Sequence, residues 1–232
     1  MRIVLLGPPG AGKGTLAGFF KETQDFWHIS TGDILREEMK NDTEVGRKIK
    51  GLVDKGELVP DDIVTEIIEM TIRRNHPIKK GFMLDGFPRT RIQARALDKI
   101  LAELKLPLDF ALYMKASLSI IVERLAGRWV CRQCGALFHV HYRPPQRAGI
   151  CDQCDGPLYQ RSDDNEQTLQ TRMEVYLKNT APVFDYYKAQ GKLLTVNADK
   201  DVEGVYQDLL EIIHESQRSD QNQRSGGVKN SS

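Results

Sequence analysis

The sequence predicts an α/β fold, a five-stranded parallel sheet wrapped by helices. Three observations predict it. Short continuous apolar runs recur along the chain, helical patterns separate them, and a glycine-rich turn follows the first run at once. Apolar runs of four to seven residues suit parallel strands buried on both faces. Their alternation with helices calls for crossover connections, with ligands at the carboxyl ends of the strands.

The strands are taken in chain order. RIVLL (2–6) reads as a buried strand, FWHIS (26–30) as a weaker one, and FMLD (82–85), LDFALYM (108–114) and KLLTVNA (192–198) as the other three. Among the helices, Ile63, Val64, Ile67, Ile68 and Ile72 share one face, with Pro60-Asp61-Asp62 as a start signal. A second runs from a cap at Ser117 to Gly127, and VEGVYQDLLEII closes the fold. Two segments break the rhythm: 30–60 is helical and polar, and 128–164 carries all four cysteines with little helical period. The reading is therefore a core of 1–29, 61–127 and 165–215, insertions at 30–60 and 128–164, and a disordered tail at 216–232, rich in Ser, Gln, Asn and Gly.

Composition narrows the function. At 232 residues and 40% hydrophobic the chain can bury one sizeable core. Its 33 basic and 32 acidic side chains nearly cancel, which gives no global case for nucleic acid or a membrane surface. No apolar run approaches the ~18 residues of a membrane span, and Gly7-Pro8-Pro9 interrupts the first run too early for a signal peptide. A cytoplasmic protein is expected.

The turn after the first strand is GPPGAGKGT (Gly7–Thr15), the phosphate-loop pattern G-x4-G-K with Gly14 between Lys13 and Thr15. Glycines let backbone N–H groups converge on phosphate oxygens, and the following helix aims its positive end at the same place. Lys13 reaches the β and γ phosphates, and Thr15 lies where magnesium is expected. The loop holds a nucleoside triphosphate on a P-loop NTPase-type sheet. Asp85, at the end of an apolar run, is a costly place for a carboxylate unless it faces a cation or its water shell. Arg89, in the irregular loop made by Gly86 and Pro88, offers a fork of donors to phosphate. From Ile120 to Tyr176 there are seven arginines and no lysine, which also favours bidentate phosphate recognition. Of these, Arg132, Arg143 and Arg147 are read as surface charges.

GPPGAGKGT, HISTGDILR (28–36), GELVPD (56–61), LDGFPRTRIQA (84–94) and ERLAGR (123–128) together resemble the adenylate kinase family, in order and spacing, over residues 1 to about 215. The resemblance implies reversible transfer, MgATP plus AMP giving two ADP, by a monomer serving adenine nucleotide homeostasis. It assigns ATP to Gly10, Ala11, Gly12, Lys13, Gly14, Thr15, Arg124, Arg128 and Lys200, the last in the 199–201 loop near the donor adenine. It assigns AMP to Thr31, Arg36, Glu57, Leu58, Val59, Gly86, Phe87, Pro88, Arg89, Gln93, Arg161 and Arg172. Lys13, Asp85, Arg89, Arg124, Arg128, Arg161 and Arg172 would form the catalytic set, with segment 30–60 as the AMP-binding domain and 128–164 as a lid. Leu16 and Trp27 depart from the family's usual residues at positions that do no chemistry. Kinases for UMP, CMP or GMP, and a non-catalytic nucleotide or zinc-ribbon module, are the alternatives.

Cys131-x2-Cys134-x16-Cys151-x2-Cys154 has ribbon spacing, and four thiolates complete a tetrahedral structural site. Zinc is expected, though cobalt and iron also accept four thiolates. Gly135 and Gly156 are expected to relax the two turns. His139 and His141 are read as hairpin residues, and Trp129, Phe138 and Tyr142 leave a nucleic-acid-binding ribbon as a weaker rival to a stapled lid.

Overall fold

The computed structural model describes residues 1–24, 26–40, 43–75 and 81–226. Five parallel strands form the central sheet: β1 (Arg2–Leu6), β2 (Trp27–Ser30), β3 (Phe82–Asp85), β4 (Phe110–Lys115) and, last in the chain, β8 (Leu193–Asn197). Their order is β2-β3-β1-β4-β8. β1 lies between β3 and β4, with Leu5 opposite Asp85 on one side and Leu112 on the other. The chain leaves β1 in one direction and later returns on its other flank. The carboxyl ends of β1, β3 and β4 therefore meet around a crevice.

Alternation along β1 shows why these apolar runs make strands. Val4 and Leu6 face a layer built from α4 (Asp61–Arg74), α5 (Arg91–Glu103) and α8 (Pro182–Ala189), through Ile68, Ile72, Leu97, Leu101, Val183 and Tyr187. Ile3 and Leu5 face α1 (Lys13–Gln24) and α9 (Val202–Gly226), through Leu16, Ala17, Phe20, Val205, Leu209 and Ile213. Both faces of the sheet are thus covered, as the continuous apolar runs require.

Segment 30–60 forms α2 (Thr31–Lys40) and α3 (Glu44–Val53). Segment 128–164 forms an antiparallel sheet in the order β6-β5-β7, from β5 (Arg128–Cys131), β6 (Leu137–His139) and β7 (Leu158–Tyr159). α6 (Leu118–Ala126) leads into it, and α7 (Glu166–Val175) leads away through a π-helical turn, Tyr176–Thr180, into α8.

Several expectations are corrected. The fourth strand starts at Phe110 rather than Leu108 and reaches Lys115. Ser117 stands at the cap of α6, but its hydroxyl meets Ser119 rather than a backbone amide. The backbone is helical to Gly226 where a disordered tail from 216 is expected. Residues 215–225 hold no proline or glycine, and six of the eleven are straight-chain Glu, Gln or Arg, so helix propensity permits the helix to continue. The rest of that expected tail, 227–232, lies outside the described residues. No helix among the described residues is long and apolar enough to cross a membrane.

Candidate active site

A cleft of about 1450 Å³ opens at the carboxyl end of the sheet. That exceeds the roughly 300–1,000 Å³ of a single small-molecule site, so two nucleotide-sized ligands can share it. Gly10, Ala11, Gly12, Lys13, Gly14 and Thr15 form its floor. Gly7 makes the turn possible: its φ is +148°, and a Cβ there would stand 2.8 Å from the Met114 carbonyl oxygen. Lys13 folds over the loop and donates to the carbonyl oxygens of Gly7 and Pro8, each at 2.9 Å. Burial, together with Arg89, Arg172 and Arg128, outweighs the pull of Asp85 and brings Lys13 down to about 8.

Asp85 ends β3 beside that floor. Its carboxylate approaches the His28 ring at 3.6 Å and lies close to Gly14. Burial would raise its pKa, but His28, Lys13 and Arg89 reverse the sign and keep it below the ordinary carboxylate value. Asp85 is therefore an ionised oxygen donor lining the same cleft as Thr15, and such hard oxygen donors fit magnesium with its water shell.

The arginines converge on this floor, and carboxylates hold most of them. Arg128 grips Asp164 in a two-pronged pair, through Nε at 2.7 Å and through Nη2. Arg172 donates to the Asp163 carbonyl oxygen at 2.8 Å and meets the carboxylates of Asp163 and Asp164 at 3.0 and 3.2 Å. Arg36 binds Asp33 at 2.5 Å, and Arg161 lies 3.7 Å from the same carboxylate. Burial pushes Arg161 down to about 10, helped by Arg128 and Arg36. Burial and the neighbouring Arg172 also lower Arg89. Burial opposes ionisation of Asp33 and Asp163, yet the surrounding arginines hold both below the ordinary value. Asp163 and Asp164 are pairing partners that the sequence offers to the arginines of 120–176, whereas Asp33 as a partner of Arg36 and Arg161 was missed. Asp33 stands inside STGD, far in sequence from Arg161, whereas Asp163 and Asp164 follow Arg161 after only Ser162.

Other expected residues divide. Thr31 opens α2, buried, and its hydroxyl has no hydrogen-bond partner among the described residues, so it is available to a ligand. Glu57, Leu58 and Val59 line the cleft beside Ile34, Leu35, Met39, Val53 and Val64, an apolar pocket suited to a base. Gly86, Pro88 and Arg89 line it too. Phe87 does not: its ring is fully buried in the main core. Gln93 lines the cleft, but its amide is engaged at both ends, accepting from Arg89 N at 2.7 Å and donating to Asp61 at 2.8 Å. Arg124 holds the loop after β8 by donating to the carbonyl oxygens of Ala198 at 2.6 Å and Lys200 at 2.8 Å. Lys200 itself pairs with Asp208 at 2.8 Å.

In the small sheet the sulfurs of Cys131, Cys134, Cys151 and Cys154 lie within 4.8 Å of one another. Across the two turns, Cys131 meets Cys154 at 3.5 Å and Cys134 meets Cys151 at 3.6 Å. Four thiolates 2.3 Å from a shared ion would stand about 3.8 Å apart, so the cluster fits a tetrahedral metal. The amides of Gln133 and Gln153 each point at a sulfur at 3.4 Å, as donors to a thiolate would. Against the cost of burial, the Cys134 and Gln133 amides bring Cys131 down to about 6. The turn expectation is half corrected. Gly135 is left-handed at φ +74°, but in the second turn that role belongs to Asp155 at +56°. Gly156 lies against the Gln133 side chain, which a Cβ there would meet at 2.9 Å and push aside.

His139 is more than a hairpin residue. Its Nδ1 accepts from the amides of His141 and Tyr142, so Nε2 carries the proton and donates to the Glu123 carbonyl oxygen at 3.3 Å. This ties β6 to the end of α6. Gly127 permits the approach: a Cβ there would fall 2.4 Å from Nε2.

Comparison with known proteins gives the family. An adenylate kinase family model matches residues 5–192. The adenylate kinase of Caldicellulosiruptor bescii is 50% identical over 213 residues, 92% of this chain and 99% of its own. That of Alkaliphilus oremlandii is 48% identical over 210 residues, 90% of this chain and 97% of its own. That of Thermosipho melanesiensis is 46% identical over 213 residues, with 92% and 99% covered. With a phosphate loop, converging arginines and a thiolate cluster joined in one α/β frame, the chain belongs to the adenylate kinase family, enzymes that are ATP:AMP phosphotransferases.

Proposed function

We propose that this chain catalyses ATP + AMP ⇌ 2 ADP as a magnesium-dependent, in-line phosphoryl transfer inside a closing cleft. The observation that carries the reading is the convergence of Lys13, Arg36, Arg89, Arg128, Arg161 and Arg172 on one cleft floored by the phosphate loop. The donor lies over Gly10 to Thr15, with its adenine toward the 199–201 loop that Arg124 secures. The acceptor lies against Thr31, Gly86, Pro88, Arg89 and the apolar wall of Leu58 and Val59.

An oxygen of the AMP phosphate attacks the γ phosphorus as the bond from that phosphorus to the β-bridging oxygen breaks. A phosphate oxygen needs no side-chain base, so the chain's work is to position the two ends and balance charge. Lys13 and the loop amides hold the β and γ phosphates. Arg36 and Arg89 hold the acceptor phosphate, and Arg128, Arg161 and Arg172 surround the group in transit. Thr15 and Asp85 would hold magnesium, which would supply charge neutralisation at the donor phosphates. The 30–60 and 128–164 segments act as closing domains that exclude water as a competing acceptor. The Ser162 hydroxyl already donates to Asp54 across the two, at 3.2 Å. The four thiolates hold structural zinc that staples the lid, whose arginines the kinase site uses. The enzyme works as a cytoplasmic monomer in adenine nucleotide homeostasis.

The test is ADP formation from MgATP with AMP, GMP, UMP and CMP offered in turn. AMP is expected to be the strong acceptor. A preference for another monophosphate would overturn the acceptor assignment while keeping the mechanism, and no transfer to any would overturn the function.

A further inference from the structure

Arg89 is held by its backbone as well as by its side chain. Its N–H donates to Gln93 Oε1 at 2.7 Å, and Gln93 is fixed in turn by Asp61. Its Nε donates to the Gly86 carbonyl oxygen at 2.9 Å. Its own carbonyl oxygen accepts from the Thr180 hydroxyl at 3.0 Å, a partner 91 residues away.

The geometry of Thr180 is unusual for a helical threonine. Such a hydroxyl ordinarily bonds back to the carbonyl four residues earlier, here Tyr176. In this chain Ala181 N reaches back five residues to that carbonyl, at 2.9 Å. The extra residue makes the π-helical turn Tyr176–Thr180, separated only by Ala181 from Pro182, which has no N–H to continue an α ladder. The Thr180 hydroxyl is thereby directed to Arg89, and the residue is buried. Arg172, Tyr176 and Thr180 follow at four-residue steps, and all three line the cleft. One continuous helix thus carries a clamp arginine and the group that fixes the backbone of another.

We propose that Thr180 is a positioning residue for the acceptor half of the reaction, acting through Arg89. This rests on the functional reading above. Loss of the hydroxyl frees the Arg89 carbonyl and lets the guanidinium wander from the acceptor phosphate. Donor binding, which Lys13 and the loop amides carry, is untouched.

The experiment compares Thr180→Val, which keeps shape but not the hydroxyl, with Thr180→Ser, which keeps the hydroxyl. Thr180→Val is expected to lower kcat/KM for AMP by about 30-fold, since small misplacements of preorganised groups cost on that order, with KM for ATP within about twofold. Thr180→Ser is expected to restore AMP kinetics to within about twofold. In an Arg89→Ala background, Thr180→Val is expected to add almost nothing. Equal loss for both nucleotides, a lowered Tm with unchanged kinetics, a serine variant as poor as valine, or full additivity with Arg89→Ala would each overturn the proposal. The Nε–H NMR signal of Arg89, identified by its loss in Arg89→Lys, provides a readout without nucleotide. It should shift in Thr180→Val and not in Thr180→Ser. If wild-type protein fails to phosphorylate AMP, the functional reading falls and this signal still decides the contact: an unmoved signal in Thr180→Val refutes it.

Discussion

Helices α2 and α3 share the main apolar core, whereas the small sheet between Arg128 and Asp164 shares none of it. Leu35 and Ile49 belong to the same buried cluster as strand residues Val4 and Leu84. The small sheet has its own cluster, in which Phe138 and Leu158 are joined by the buried sulfurs Cys131 and Cys151. A segment that leans on a large core needs no further support. One that projects from it cannot bury enough apolar surface, and the metal proposed for the thiolate cluster would make up the difference. Two covers over one cleft are therefore expected to fail in different ways.

The largest difference should follow metal removal. Stripping the thiolate cluster with a chelator, or the double change Cys131→Ser with Cys134→Ser, should cost about 10²- to 10³-fold in turnover, because Arg128 and Arg161 lose their seat. Limited proteolysis should then cut within 128–164 while far-ultraviolet circular dichroism keeps most of its helical signal. Collapse of the whole helical signal would show that the two covers are not separate units. Next in size, Ile49→Ala in α3 should cost about 2–5 kcal/mol in a denaturant melt of the whole molecule, because it opens a cavity in the shared core. The same melt should barely respond to changes in the small sheet.

A smaller effect sits at the joint. Gly127→Ala should press on His139, break its bond to the Glu123 carbonyl and cost about 1–3 kcal/mol locally. Amide exchange should quicken in β5 and β6 and stay unchanged in α2 and α3. Smallest at neutral pH, and growing above it, is the titration of Lys13. Its ordinary value of 10.5 falls to about 8 in the folded chain, so the folded state binds fewer protons than the unfolded one between those values, and folding stability should rise across that window. Donor affinity should run the other way. KM for ATP is expected to climb as pH passes about 8, with the break absent in Lys13→Met.

The sheet was legible because Val4, Leu84 and Leu112 sit in runs that only a two-sided burial explains. The phosphate loop and the thiolate cluster were legible because short spacings define them. What escaped depends on partners far apart in sequence. Thr180 acts on Arg89, His139 on Glu123, and Asp33 on Arg161, and no local pattern connects such pairs. The left-handed Asp155 escaped because the neighbouring Gly156 was the obvious candidate for that backbone.

The carboxylates that hold the clamp have a consequence for ionic strength. Asp33, Asp163 and Asp164 already sit as resident counter-ions of Arg36, Arg161, Arg128 and Arg172. On the proposed function, an arriving phosphate would exchange places with anions that belong to the chain, and few mobile ions would be released to the solvent. Nucleotide affinity should therefore decline with added salt more gently than the number of arginines implies.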